Sequence, residues 1–179
     1  MNIALSDLRI EPFDQAKHDV SCFDCGHPDL NDFLKHDCPL QISHRLSYTR
    51  LAFYEGKIVG YVSLLADSIA LHIDIREWYK LHKNITVLQV PALKIGRLGI
   101  DNNYKGRDIG SALVKYSIGV AFRMNDDLGV GCRFLTVDSD PNAVGFYERL
   151  GFEMNMHRDH KGKHYPNMHY DIVVGKRIP

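Results

Sequence analysis

The stretch Leu98-Gly99-Ile100-Asp101-Asn102-Asn103-Tyr104-Lys105-Gly106-Arg107-Asp108-Ile109-Gly110-Ser111-Ala112-Leu113 reads as a strand that passes through a glycine-punctuated turn into a helix. Such a turn leaves the first backbone N–H groups of the helix without intrahelical partners and aims them at one point. That point is also the positive end of the helix dipole, so it favours a phosphate or pyrophosphate. Gly106 and Gly110 let the backbone approach a ligand with no Cβ in the way. The leading ligand for the chain is therefore phosphate-bearing. The common nucleotide loops do not fit the spacing. The sequence has no Gly-x-x-x-x-Gly-Lys-Ser/Thr, and no Gly-x-Gly-x-x-Gly between a strand and a helix.

A second motif follows the strand-like run Cys132-Arg133-Phe134-Leu135-Thr136-Val137. It is Asp140-Pro141-Asn142-Ala143-Val144-Gly145-Phe146-Tyr147-Glu148-Arg149-Leu150-Gly151-Phe152. Asp140 reads as an N-cap, Pro141 as the first helical residue and Gly151 as the C-terminal stop. The helix between them is short, about three turns.

The rest of the chain supplies strands and helices in mixed order. Leu8–Phe13 reads as a first strand, and Pro28–Leu34 has apolar residues at helical spacing. Tyr48–Tyr54 and Ile58–Leu65 alternate around Glu55-Gly56-Lys57 as a hairpin. Asp67–Pro91 reads as an excursion with a helix around Ile73–Leu81, before a strand at Lys94–Asp101. Ile109, Leu113, Tyr116, Val120 and Met124 mark one face of a long helix. Phe152–His157 and Met168–Val174 read as a last hairpin.

With 179 residues, 45% hydrophobic and 25% charged, the chain suits one domain, 1–179, with a sizeable core. Lys plus Arg equal Asp plus Glu at 22 each, so no global charge draws it to nucleic acid or a membrane, although a local basic patch stays open. No apolar run approaches a membrane span, and Met1–Ile10 lacks the layout of a signal peptide, so the expected location is cytoplasmic. Cysteines 22, 25, 38 and 132 read as reduced thiols rather than a disulfide framework. Cys22, Cys25, His27 and Cys38 could be drawn as a zinc site, but the spacing is irregular and no metal is expected. His157, His160, His164 and His169, with Lys161 and Lys163, read as a solvated basic loop. The sharper reading is a surface that recognises an anionic substrate.

Both motifs resemble the GNAT superfamily of acetyl-CoA-dependent N-acetyltransferases. The first is similar to its pyrophosphate loop, Gln/Arg-x-x-Gly-x-Gly/Ala. Arg107-x-x-Gly110-x-Ala112 fits literally. Lys105-x-x-Asp108-x-Gly110 fits better with the run from strand through Tyr104 and Gly106, and is preferred. In that frame Lys105 keeps a donor and a positive charge, whereas Asp108 replaces a glycine. Its carboxylate either weakens phosphate binding or points away as the N-cap of the helix opening at Ile109. The second motif is similar to Asn-x-x-Ala/Gly-x-x-Phe-Tyr-x-x-x-Gly-Phe, shortened by one residue before Phe-Tyr. The resemblance runs from Leu93 to Phe152 and more loosely beyond.

The resemblance implies an α+β GNAT fold, a central twisted, mixed and mostly antiparallel sheet flanked by helices. It implies direct acetyl transfer from acetyl-CoA to a primary amine, without metal. Tyr147 would be the catalytic acid that protonates the departing thiolate, a phenol with an ordinary pKa of about 10. The competing reading of Tyr147 is a core side chain. Leu98, Gly99 and Ile100 would run along the pantetheine through their backbones. Lys105, Gly106, Arg107, Asp108, Ile109, Gly110 and Ser111 would hold the pyrophosphate, and Asn142 and Phe146 would complete the cofactor contacts. No general base stands out among Asp101, Asp138 and Asp140. That leans toward an α-amine, pKa about 7.7 to 8.0, over a lysine at about 10.4, or toward a proton relayed by water.

Phe23-Asp24-Cys25-Gly26-His27-Pro28-Asp29-Leu30-Asn31-Asp32-Phe33-Leu34, with the insertion ending at Pro91, is similar to a narrower GNAT branch that includes toxins. Those toxins acetylate aminoacyl-tRNA and are silenced by a ribbon-helix-helix antitoxin. The resemblance thus brings in tRNA and an antitoxin as partners, and allows a homodimer. The neutral net charge argues mildly against tRNA. The alternatives are a toxin-like enzyme acting on aminoacyl-tRNA, and an acetyl-CoA-binding module without turnover.

Overall fold

A computed structural model describes residues 2–70, 89–154 and 165–174. The Ile73–Leu81 helix, and the loop holding His157, His160, Lys161, Lys163 and His164, lie outside the described residues. Among the described residues seven strands form a mixed sheet: β1 (Arg9–Pro12), β2 (Tyr48–Tyr54), β3 (Lys57–Ala70), β4 (Gln89–Ile100), β5 (Phe134–Asp138), β6 (Glu153–Met154) and β7 (Asn167–Asp171). The helices are α1 (Pro28–Asp32), α2 (Cys38–Ser43), α3 (Ile109–Asp126) and α4 (Val144–Arg149). The chain divides into two compact units, one of residues 1–65 and 95–119, the other of 66–94 and 120–179. This is an α+β architecture with a mixed sheet, as the resemblance implies.

In the first unit the strand order is β1-β2-β3-β4. The β2–β3 hairpin is antiparallel, with Tyr54 opposite Lys57, and Glu55 and Gly56 at φ +49° and +77° form its turn. Positive φ at both central residues matches the right-handed twist of the flanking strands. Phe13, Phe23, Phe33, Leu34, Leu51, Phe53 and Tyr61 form the core of this unit. The Tyr61 hydroxyl donates to the Leu30 carbonyl at 2.8 Å, and its ring stacks on Phe33 at 6.0 Å. Only glycine fits opposite that ring: a Cβ on Gly99 would come 2.6 Å from Tyr61 Cε1. The N-terminal helix runs further than Pro28–Leu34, reaching Ser43 through a π turn at Phe33–Asp37. Pro39 has no N–H for the Lys35 carbonyl, and the wider turn, with Cys38 N–H donating to the Phe33 carbonyl, accommodates that loss.

In the second unit the order is β3-β4-β5-β7-β6. Arg133 N–H donates to the Pro91 carbonyl at 2.8 Å, and Lys94 Nζ to Asp138 Oδ2 at 2.6 Å. The two contacts advance together along both chains, so β4 and β5 are parallel, while β5–β7 and β6–β7 are antiparallel. Strand structure extends beyond the limits read from sequence, to Ala70 in β3 and from Gln89 in β4. The excursion between them is correspondingly shorter than Asp67–Pro91.

The buried line of α3 is Ile109, Ala112, Leu113, Val114, Ser117, Ile118 and Ala121, whereas Tyr116, Val120 and Met124 are half-buried. Ser117 hides this line from a count of apolar residues. Its hydroxyl is satisfied inside by the Leu113 carbonyl at 2.8 Å, so the serine can occupy a core position.

His169, read from sequence as part of a solvated basic loop, is instead a buried residue of β7, 2% exposed, with its ring edge-on to Phe134 at 5.3 Å. Desolvation lowers its pKa to about 4, against a smaller opposing pull from Asp171. The imidazole is neutral in the fold, while the unfolded chain takes up a proton below about pH 6.5. The stabilisation is therefore complete above that value and is lost as pH falls toward 4. Between pH 7 and pH 5 this group should remove about 2 kcal/mol of stability. Urea unfolding at the two pH values checks this: His169→Phe should shrink the difference, and an unchanged difference would assign the acid sensitivity to other groups.

Candidate active site

In the first unit β4 delivers Leu98, Gly99 and Ile100 to Asp101, which follows the strand and starts the loop Asp101–Asp108 that leads into α3. Asp101 is buried, and its carboxylate accepts from Asn103 N–H and Asn103 Nδ2, both at 3.0 Å. It caps the single 3-10 turn Asn102–Tyr104. Gly106 then takes φ +73°, and a Cβ built there meets nothing within 4 Å, so the backbone is open to a ligand. Lys105, Arg107 and Asp108 are exposed around it, with Arg107 over the Tyr104 ring at 5.3 Å. The first i→i−4 bond of α3 runs from Ala112 N–H to the Asp108 carbonyl at 3.0 Å. Ile109, Gly110 and Ser111 therefore place their N–H groups ahead of the helical ladder, at the positive end of an 18-residue helix. An open glycine beside exposed cations and a long helix N-terminus fits the pyrophosphate of acetyl-CoA.

Of the two alternatives for the Asp108 carboxylate, the capping one lacks its hydrogen bond. The backbone of Asp108 precedes α3 at φ +63°, and its carboxylate makes no hydrogen bond with another described residue. The left-handed conformation explains why a glycine suits this position of the motif, and why aspartate, which tolerates it better than most residues, can stand in. Asp108→Gly should therefore raise stability by up to about 1 kcal/mol rather than lower it. Thermal melts of the two proteins decide this, and a lower melting temperature for Asp108→Gly would restore the capping account.

In the second unit Asp140 accepts from Asn142 N–H at 2.8 Å and caps the 3-10 turn Pro141–Ala143, as the sequence predicts. Asn142 is exposed on that turn, and Phe146 and Tyr147 follow on α4. The helix ends in a Schellman motif. Gly151, at φ +84°, donates to the Glu148 carbonyl at 2.9 Å, and Phe152 N–H donates to the Tyr147 carbonyl at 3.1 Å. The accompanying hydrophobic contact is between Tyr147 and Phe152, ring centroids 5.3 Å apart, with Phe146 on the other side at 5.0 Å. Backbone and ring of Tyr147 are thus fixed together. The residue is 5% exposed, and burial raises its pKa well above the ordinary phenol value. Among the described residues its hydroxyl makes no hydrogen bond. Burial keeps the phenol protonated, so it is a donor.

The three carboxylates considered as bases are engaged. Asp101 and Asp140 cap turns, and Asp138 accepts from Lys94 at 2.6 Å and Asn167 at 2.8 Å. Cys22 is exposed, Cys25, Cys38 and Cys132 are buried, and all four thiols are free. The sequence gives no sign of one contact of the Asp101–Asp108 loop: Asp24 Oδ2 accepts from Asn102 Nδ2, across 78 positions that no local pattern connects.

The sequence profile of the acetyltransferase (GNAT) family matches residues 13–152, and the chain belongs to that family. It is an acetyl-CoA-dependent N-acetyltransferase. The chain is 28% identical over 137 residues to a tRNA-acetylating toxin of Mycobacterium tuberculosis, an overlap of 76% of this chain and 80% of that protein. The structure of AtaT complexed with acetyl-methionyl-tRNAfMet superposes with a TM-score of 0.76 at 26% identity, covering 93% of this chain and 96% of that one. The crystal structure of AtaTR bound with AcCoA gives a TM-score of 0.74 at 25% identity, covering 94% and 95%. Among the described residues no helix is long and apolar enough to cross a membrane.

Proposed function

We propose that this chain acetylates the α-amino group of an aminoacyl-tRNA, with Tyr147 as general acid. The similarity to a tRNA-acetylating toxin over 76% of the chain carries this reading. The occupied carboxylates support it: with Asp101, Asp138 and Asp140 engaged, the acceptor that fits best is one whose amine is already partly neutral. An α-amine at about 7.7 to 8.0 meets that condition and a lysine at about 10.4 does not. The balanced charge of the whole chain does not oppose an RNA partner, because the end of an acceptor stem meets only a local surface.

The bound cosubstrate supplies a thioester whose acyl carbon accepts the amine. The chain's residues do the rest. Lys105, Gly106, Arg107 and the N–H groups of Ile109, Gly110 and Ser111 hold the pyrophosphate, with Asp108 setting the turn. Leu98, Gly99 and Ile100 present backbone groups along the pantetheine, and Asn142 and Phe146 complete the contacts. The Tyr147 hydroxyl gives its proton to the sulfur as the C–S bond breaks, the amine proton leaves to solvent as the C–N bond forms, and the phenolate takes a proton back from solvent. An antitoxin partner belongs to the same reading, from the resemblance to the toxin branch, and a homodimeric assembly is part of the proposal.

Thiol release from acetyl-CoA tests the acceptor class. Charged tRNA should accelerate release well above the rate with uncharged tRNA, a lysine peptide or a polyamine. Equal acceleration by the lysine peptide would return the chain to a general amine acetyltransferase. No acceleration by any amine would leave a binding module without turnover.

A further inference from the structure

The turn Asp24-Cys25-Gly26, part of an N-terminal motif to which the mechanism gives no role, is bonded to the cofactor loop at four places. Asn102 N–H donates to the Asp24 carbonyl at 2.8 Å, and Asn102 Nδ2 to Asp24 Oδ2 at 3.2 Å. Asp24 N–H donates to Asp101 Oδ2 at 3.3 Å, and Lys105 Nζ to the Cys25 carbonyl at 2.7 Å. The other carboxylate oxygen of Asp24 looks back into its own segment, accepting from Gly26 N–H and from Asn31 Nδ2 of α1, both at 2.7 Å. Asn31 Oδ1 in turn accepts from Cys25 N–H at 2.9 Å. The side chains on either side of Asp24, Phe23 and Cys25, are buried in the core and pin the turn from below. Gly26 takes φ +73°, and a Cβ there would lie 2.9 Å from Asn102 Oδ1 and 3.4 Å from Lys105 Nζ. The turn therefore has room for the loop side chains and for nothing else.

We propose that Asp24 is a positioning residue for the cofactor loop, a clamp that ties α1 to Asp101–Lys105 and sets Lys105 for the pyrophosphate. The proposal rests on the reading of that loop as the acetyl-CoA site. Lys105 has three donors, and the Cys25 carbonyl takes one, fixing the ammonium while two remain for phosphate oxygens. Asp24 is solvent-exposed and touches no substrate, so it acts through Asn102 and Lys105. Without it, Gly26 N–H and Asn31 lose their acceptor, and the loop adopts its binding geometry only part of the time. Apparent affinity then falls by the fraction lost.

Calorimetric binding of acetyl-CoA to the full chain, with melting temperatures of the unliganded proteins, tests the clamp. Asp24→Ala should raise the Kd for acetyl-CoA about tenfold. Asn102→Asp sets a carboxylate against that of Asp24 and should raise it at least as much. The exchange Asp24→Asn with Asn102→Asp restores a donor–acceptor pair with the roles reversed and should return the Kd to within about threefold of wild type. A residue needed only for folding would lower the melting temperature without being rescued in affinity by the exchange. Unchanged affinity in folded Asp24→Ala or Asn102→Asp, or an exchange that fails to restore it, overturns the clamp. If Asp24→Ala does not fold, the Asn102→Asp and exchange pair decides alone. Gly110→Asp separates the two levels: acetyl-CoA binding that survives that change refutes the loop itself, whereas binding lost there and kept in Asp24→Ala refutes only the clamp.

Discussion

Tyr147→Phe should lower turnover by about 10²–10³-fold, the range usual for losing a positioned general acid, while acetyl-CoA affinity stays within about twofold. The substitution keeps the ring, its contacts with Phe146 and Phe152, and the Schellman motif that fixes it. It removes only a hydroxyl with no hydrogen bond to another described residue, so the fold should lose little. Burial raises the phenol's pKa well above the ordinary value, so wild type keeps its donor throughout the usual assay range. No descending limb from Tyr147 is therefore expected below about pH 10. The rate should instead rise with pH as the acceptor amine deprotonates. Steady-state kinetics and melting curves check this. Normal turnover would hand the proton to another group or to water, and early melting with weak cofactor binding would make Tyr147 a core residue.

Gly110→Asp should abolish detectable acetyl-CoA binding, a loss of about 10²-fold or more, because it sets a carboxylate where the pyrophosphate charge is received. The same change should do little to the fold. Gly110 sits in the first turn of α3, where an acidic side chain favours the helix dipole and aspartate is a better helix former than glycine. The signature is thus a protein with unchanged or slightly raised melting temperature that acetyl-CoA no longer stabilises. A wild-type thermal shift in this variant would move the pyrophosphate elsewhere and take the Lys105–Ser111 assignment with it.

What the sequence shows of this protein is what local spacing controls. Asp140, Pro141 and Gly151 announce a short helix by cap, first turn and stop; Asp140 and Pro141 open a 3-10 turn that leads into the six-residue α4, and Gly151 ends it. The strand-turn-helix around Gly106 is legible because positive φ and an open backbone demand glycine there. Residues whose behaviour depends on distant neighbours were read less well. His169 looks like a member of a basic loop until β5 pairs with β7 and buries it against Phe134. Ser117 interrupts an apolar stripe because its satisfied hydroxyl does not show in composition. Asp108 was read through its side chain, whereas its backbone angle decides its role. Asp24 carried a motif with no visible purpose until the fold placed Asn102 beside it.

The acetyl group should end on the α-amino nitrogen of an aminoacyl-tRNA. Labelled acetyl-CoA should be mixed with the enzyme and a pool of charged tRNA, the RNA digested, and the aminoacyl-adenosine recovered and its label located. Label on the α-amino nitrogen of the aminoacyl-adenosine, present with wild type and nearly absent with Tyr147→Phe over the same interval, is the predicted result. Unlabelled aminoacyl-adenosine, with the acetyl group found instead on a lysine peptide or polyamine added to the same mixture, would contradict it.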